Sequence, residues 1–218
     1  MAKKQNKERN YSEADIIRTF GLTRVPHGKT TLMQEWLHCT TSLQTDEATL
    51  FRKILENAQN NIEGWQEEDL KMKFVAFVLA LACLEDAELY HTYFDATISA
   101  TVEGHFLKTK TDFMVAKGIL DSPETPYFHF QEYKKQREPS GDPVAQLLEA
   151  FLIAQEKNKN GKPLYGCTII GKYWEFFTME AKTYCISKSY DCTDELDLLQ
   201  IIAILRKFKE ILETRLLD

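Results

Sequence analysis

The sequence has no apolar run approaching the roughly 18 residues that a membrane-spanning helix needs. Its longest, residues 74–84, suits a buried helix. The first ten residues, MAKKQNKERN, lack the apolar core of a secretion signal and read as a polar, disordered leader. Five cysteines stand at 39, 83, 167, 185 and 192, an odd number with no CxxC pair. Each reads as a free, buried thiol rather than a zinc ligand or half of a disulfide. With the missing signal, this predicts a reducing, cytoplasmic setting. There is no internal repeat, low-complexity tract or evident interdomain linker. HGKTT at 27–31 ends like a phosphate-binding loop, but the required earlier glycine is Thr23 and no strand is expected before it. Nucleotide binding by that motif is therefore excluded.

What remains is an ordinary globular composition, 44% apolar and 28% charged, in a chain of 218 residues. That length suits one domain with a full core. The net charge of −6 argues against a nucleic-acid partner, yet the charge is uneven. Between residues 41 and 104 acids outnumber bases three to one, whereas between 105 and 175 lysine and arginine match the acids. A local basic surface is compatible with an acidic whole.

Capping signals and periodicity place the elements. Ser12 caps a helix to Phe20 that Gly21 ends, and Thr30 or Thr31 caps a second through Leu37. Helical spacing predicts further helices over 46–61 and 66–84. Residues 89–108 alternate as a strand or hairpin, 111–116 form a short strand, 117–126 a turn-rich connection and 127–134 another strand. KQREPSG at 135–141 reads as a polar loop. Asp142-Pro143 opens a helix to about Lys157. Strands at 164–170, 173–179 and 183–186 follow, joined at Gly171-Lys172 and Ala181-Lys182. Thr193 caps a last helix to about Arg215. The order predicts an α/β domain, with helices over 11–64 preceding a core over 65–218.

Alternation on the strand at 127–134 puts Glu132 and Lys134 on one face, with Phe128 and Phe130 behind them. Pairing with the preceding strand brings Asp112 beside Glu132. Hard carboxylate oxygens suit Mg²⁺. A bound Mg²⁺ activates water and offsets charge on a phosphate, while a lysine steadies both. His129 alternates away from this face and reads as structural. Tyr173, Trp174, Phe176 and Phe177 read as core and sheet surface rather than base-stacking groups.

Asp112, followed by Glu132-Tyr133-Lys134, resembles the PD-(D/E)XK signature of the restriction-endonuclease-like superfamily. The similarity spans about Gln66 to Ile186. It implies a mixed sheet flanked by helices, here with extra N-terminal helices. It also implies Mg²⁺-dependent hydrolysis of DNA, with Mn²⁺ as substitute, and homodimers in many members. Asp112 and Glu132 would bind the metal and Lys134 would assist the attacking water. The family's preceding helix usually adds a glutamate, Glu67 or Glu68. Glu67 is favoured, because Glu67 with Lys71 resembles that place in type I restriction-enzyme nuclease domains. Gln146 matches a glutamine of the following helix. Thr111 replaces the signature proline, and Phe151 stands where a tyrosine is usual. A nuclease-fold module that binds nucleic acid or protein without catalysis is the alternative.

Overall fold

The structure, a computed structural model, describes residues 11–26, 28–86, 88–135 and 142–217. The expected leader at 1–10 and the loop beyond Lys135 lie outside the described residues. The chain is an α/β protein: a mixed, eight-stranded sheet with helices on both faces. The strands are β1 (Thr23–Val25), β2 (His91–Val102), β3 (His105–Ile119), β4 (Ser122–Lys134), β5 (Leu164–Ile170), β6 (Tyr173–Glu180), β7 (Thr183–Ile186) and β8 (Tyr190–Asp191). Their order is β1-β7-β6-β5-β4-β3-β2, with β8 beside β6. β1/β7 and β4/β5 are parallel and the other pairs antiparallel.

Helices α1 (Glu13–Phe20) and α6 (Pro143–Asn158) cover one face, and their apolar sides share a core with Met114, Phe130, Phe177 and Met179. Helices α2 (Thr31–Leu37), α3 (Thr45–Asn61), α4 (Glu67–Leu70), α5 (Ala76–Ala82) and α7 (Glu195–Ile211) cover the other. There they pack with Phe113, Tyr133, Tyr165, Trp174 and Phe176. Trp36 anchors that second core, its indole N–H donating to the Ile204 carbonyl at 2.8 Å. Among the described residues no helix is long and apolar enough to cross a membrane.

Local chemistry explains most boundaries. Ser12 and Asp15 form a reciprocal cap on α1, and Gly21 ends that helix in the left-handed conformation. Asp142 accepts from the amides of Val144 and Ala145 at the start of α6. It also accepts from Glu13 N at 2.7 Å, which ties α1 to α6.

The structure departs from the sequence reading in several places, among them the short strand β8, which was not expected. A strand, β1, lies within 11–64 and joins the sheet, so a strand does precede the HGKTT segment; the missing glycine alone rules out a phosphate-binding loop there. The stretch 117–126 is not a loose connection. β3 and β4 run on through it to a turn where Ile119 faces Ser122. Beyond Ala116 and before His129 this ribbon has no third strand beside it, so Pro123 and Pro126 leave no carbonyl of a third strand without its donor. Two register shifts, between Val115 and Ala116 and between Ala116 and Lys117, insert extra residues in β4, the first of them at Phe128. Such a bulge sends Phe128 to the α7 side while Phe130 keeps the α6 side with Glu132. Asp194, not Thr193, caps α7. Cys83 is exposed, because α5 ends there with φ 53°. Cys39 is half-buried, and Cys167, Cys185 and Cys192 are free and buried as expected.

Candidate metal and phosphate site

The site lies where β4 ends, between α4 and α6. Register carries Phe113 opposite Gln131, so the next pair along is Asp112 and Glu132. Here the strands are stitched by a side chain: Tyr133 N donates to Asp112 Oδ2 at 2.7 Å. Glu132 is buried, with 1% of its surface exposed. Its Oε1 has no hydrogen-bond donor among the described residues. Burial first, and then the charge of Asp112, push its carboxyl well above the ordinary range. Lys134, two residues on and on the same face, reaches Glu67 Oε2 at 3.5 Å.

Glu67 opens α4, and its side chain is 35% exposed against 80% for Glu68. Of the two glutamates, Glu67 is therefore the one turned to the site. Lys71 follows four residues later on the same helical face, at the first position of a π-helical turn, Lys71–Val75. Such turns widen a helix and recur at functional sites. Lys71 Nζ donates to Asp112 Oδ1 at 2.8 Å and lies 3.5 Å from Glu67 Oε1. Burial opposes the charge on this ammonium, but Asp112 and Glu67 outweigh it and hold its pKa above the ordinary lysine value. Sequence reasoning treated Lys71 as part of a helix motif. Its i, i+4 spacing from Glu67 was the signal that it faces the acids.

Gln146 comes from α6. That helix runs back along β4: Asn158 holds both backbone groups of Tyr127, at 2.7 and 2.8 Å, and the rings of Phe151 and Phe130 are 6.0 Å apart. Five residues of helix rise about 7.5 Å and two of strand about 6.6 Å, so Gln146 lies level with Glu132. Gln146 Oε1 is buried without a partner among the described residues, as is Oγ1 of Thr168, the register partner of Glu132 on β5. Close approach of α6 needs Gly166, where an added Cβ would stand 2.7 Å from Phe130 O and 2.9 Å from Leu147 Cδ1. On the sheet's other face His129 is wholly buried, and burial lowers its pKa to about 3. It packs on Trp36 and Phe113 as a neutral core residue.

Asp112, Glu132, Lys134 and Glu67 thus converge, and Gln146 flanks them. Among the described residues no three His, Cys, Asp or Glu side chains are gathered as a ready-made metal cage. The ammonium of Lys71 stands between Asp112 and Glu67. Mg²⁺, however, is usually held by only one or two carboxylates plus waters and substrate phosphate. The orphaned Glu132 Oε1 beside Asp112 fits that donor set. No protein-family model matches the chain, and no curated protein matches it.

Proposed function

We propose that this protein is a Mg²⁺-dependent phosphodiesterase acting on DNA, with Mn²⁺ as a substitute, built on a restriction-endonuclease-like sheet. The observation that carries the reading is Glu132: a buried carboxylate with one oxygen lacking a donor, beside Asp112 and two residues from Lys134. A buried carboxylate without a partner is costly, and a divalent ion would satisfy it.

Asp112 and Glu132 would hold the ion, with Glu67 at the rim. When bound, a divalent ion lowers the pKa of water and offsets charge on the phosphate. The chain's own residues do the rest. Lys134 presents an ammonium, held by Glu67, to the non-bridging phosphate oxygens and stabilises charge that grows there. Glu132 and Asp112 orient water by accepting its hydrogen bonds. Gln146 offers an amide to the same water or to the phosphate. A cytoplasmic setting and pairing of two copies on a duplex accord with this reading.

A second reading has its own observation. Lys71 already neutralises Asp112, so the same cluster would be stable with no ion. The chain would then be a non-catalytic nuclease-fold module that binds nucleic acid or protein. One experiment separates them: plasmid and single-stranded DNA with Mg²⁺ or Mn²⁺, alongside Lys134→Ala and calorimetric titration of Mn²⁺. The enzyme reading expects cleavage by the wild type, loss of at least a hundredfold in the variant, and Mn²⁺ binding by both. Absence of both cleavage and Mn²⁺ binding selects the module.

A further inference from the structure

A cleft of about 550 Å³ opens beside the site, within the size range of small-ligand pockets. Its floor continues the site's own face of the sheet. Glu132 and Lys134 on β4 pair with Thr168 and Ile170 on β5, which pair with Glu175 and Tyr173 on β6. Paired residues share a face, so these six form one contiguous patch. The last four line the cleft, with Lys135 and Lys172 on its walls.

Three features say what it would take. Tyr173 is 48% exposed, whereas Trp174 and Phe176, on the other face of the same strand, are fully buried. The ammonium of Lys172 covers one side of it, 5.3 Å from the ring centre. Thr168 is 1% exposed, and its hydroxyl, at the cleft, has no partner among the described residues. Finally, the charges cancel. Glu63 and Glu175 offset Lys135 and Lys172, and Lys172 is already 2.9 Å from Asp191. A phosphate gains little there. A neutral, flat, polar-edged ring gains a stacking surface, a hydroxyl and carboxylate acceptors for its amines.

We infer that the cleft receives one unpaired nucleobase of a single-stranded or frayed DNA segment, with its flanking phosphate outside the cleft, towards Lys134. This deepens the phosphodiesterase reading and rests on it for the direction of the strand, but base binding itself needs no metal. A base in duplex cannot reach a pocket without leaving its stack, so unpaired DNA is the favoured substrate.

The test is binding in EDTA, by calorimetry and fluorescence anisotropy. The probes are the four deoxynucleoside 5′-monophosphates, a labelled ten-nucleotide single strand and the matching blunt duplex. The full chain is used with Tyr173→Ala and Thr168→Val, each checked by circular dichroism. The single strand is expected to bind more tightly than duplex. Tyr173→Ala is expected to weaken it about tenfold, the usual effect of one lost stack. Thr168→Val, nearly isosteric, is expected to weaken it severalfold. Equal binding of strand and duplex, or indifference to both cleft substitutions in folded protein, overturns the proposal. Monophosphates binding as tightly as the strand overturn the strand assignment in favour of a free nucleotide. Cleft binding without cleavage would remove the nuclease reading alone. Single-strand cleavage indifferent to Tyr173→Ala would remove the cleft alone.

Discussion

Replacing Lys71 with methionine isolates the contest between a built-in cation and a bound one. Methionine keeps much of the stem's volume and removes the ammonium. In the native protein that ammonium lies 2.8 Å from Asp112 Oδ1 and 3.5 Å from Glu67 Oε1, and the Lys71 and Asp112 side chains are only 15% and 12% exposed. A divalent ion drawing on Asp112 must displace it. Breaking one charge-assisted hydrogen bond costs about 1.5–3 kcal/mol. Each ~1.4 kcal/mol is tenfold in affinity, so Lys71→Met is expected to tighten Mn²⁺ binding roughly ten- to a hundredfold. The same substitution leaves Asp112, Glu132 and Glu67 with one cation fewer. The metal-free variant should therefore melt below the wild type and regain the difference when Mn²⁺ is added. Titration calorimetry on chelator-treated protein reads the first effect and differential scanning calorimetry the second. Asp112→Asn, which removes the shared acid, should abolish binding in either background. A folded Lys71→Met variant that binds Mn²⁺ no more tightly than the wild type would refute the idea that the ammonium holds the ion's place. Lys71 would then be a supporting member of the site.

Two further outcomes follow from the packing of α6. Glu149 is partly buried, and burial alone raises its pKa to about 7. The folded state thus keeps a proton that the unfolded chain releases, so stability is lost as pH rises from about 4.5 through 7. Glu149→Gln should flatten that decline and stabilise the protein at pH 8 by ~1–2 kcal/mol, discounted for its exposed fraction, in urea melts across pH. A parallel pH profile in both proteins would mean that Glu149 ionises freely. Gly166→Ala places a methyl against Phe130 O, Leu147 and Phe151. Overpacking of this kind costs about 1–3 kcal/mol and should lift the start of α6 from the sheet, lowering the melting temperature. An unchanged melting temperature would show that α6 gives way freely.

Much of this architecture was legible in the sequence because its signals are local. Ser12 with Asp15, Thr30, Asp142-Pro143, Gly171-Lys172 and Ala181-Lys182 each specify a cap or turn within a few residues. The helices and hairpins they bound were found almost to the residue. The grouping of Asp112, Glu132, Lys134 and Glu67 was legible through alternation and resemblance. What escaped depends on distant partners. β1 is three residues long and is a strand only because β7 lies beside it. The bulge that turns Phe128 over depends on the register with β3, which alternation within β4 cannot show. Prolines that read as breakers at 123 and 126 are tolerated because that part of β4 has no second neighbour. The cleft around Tyr173 needs three strands and the Ile62–Gly64 turn at once, so no window of sequence contains it.

The pairing of Thr23–Val25 with Thr183–Cys185 also bears on how the molecule is made. The rim of the sheet is drawn from opposite ends of the chain, and closing a loop that long comes late and slowly. During synthesis β1 waits with open backbone groups until β7 has emerged. A shortened version starting at residue 65 would leave β7 as a permanent bare margin. Such a fragment is expected to self-associate by adding strand to strand, even with every residue of the acidic site intact.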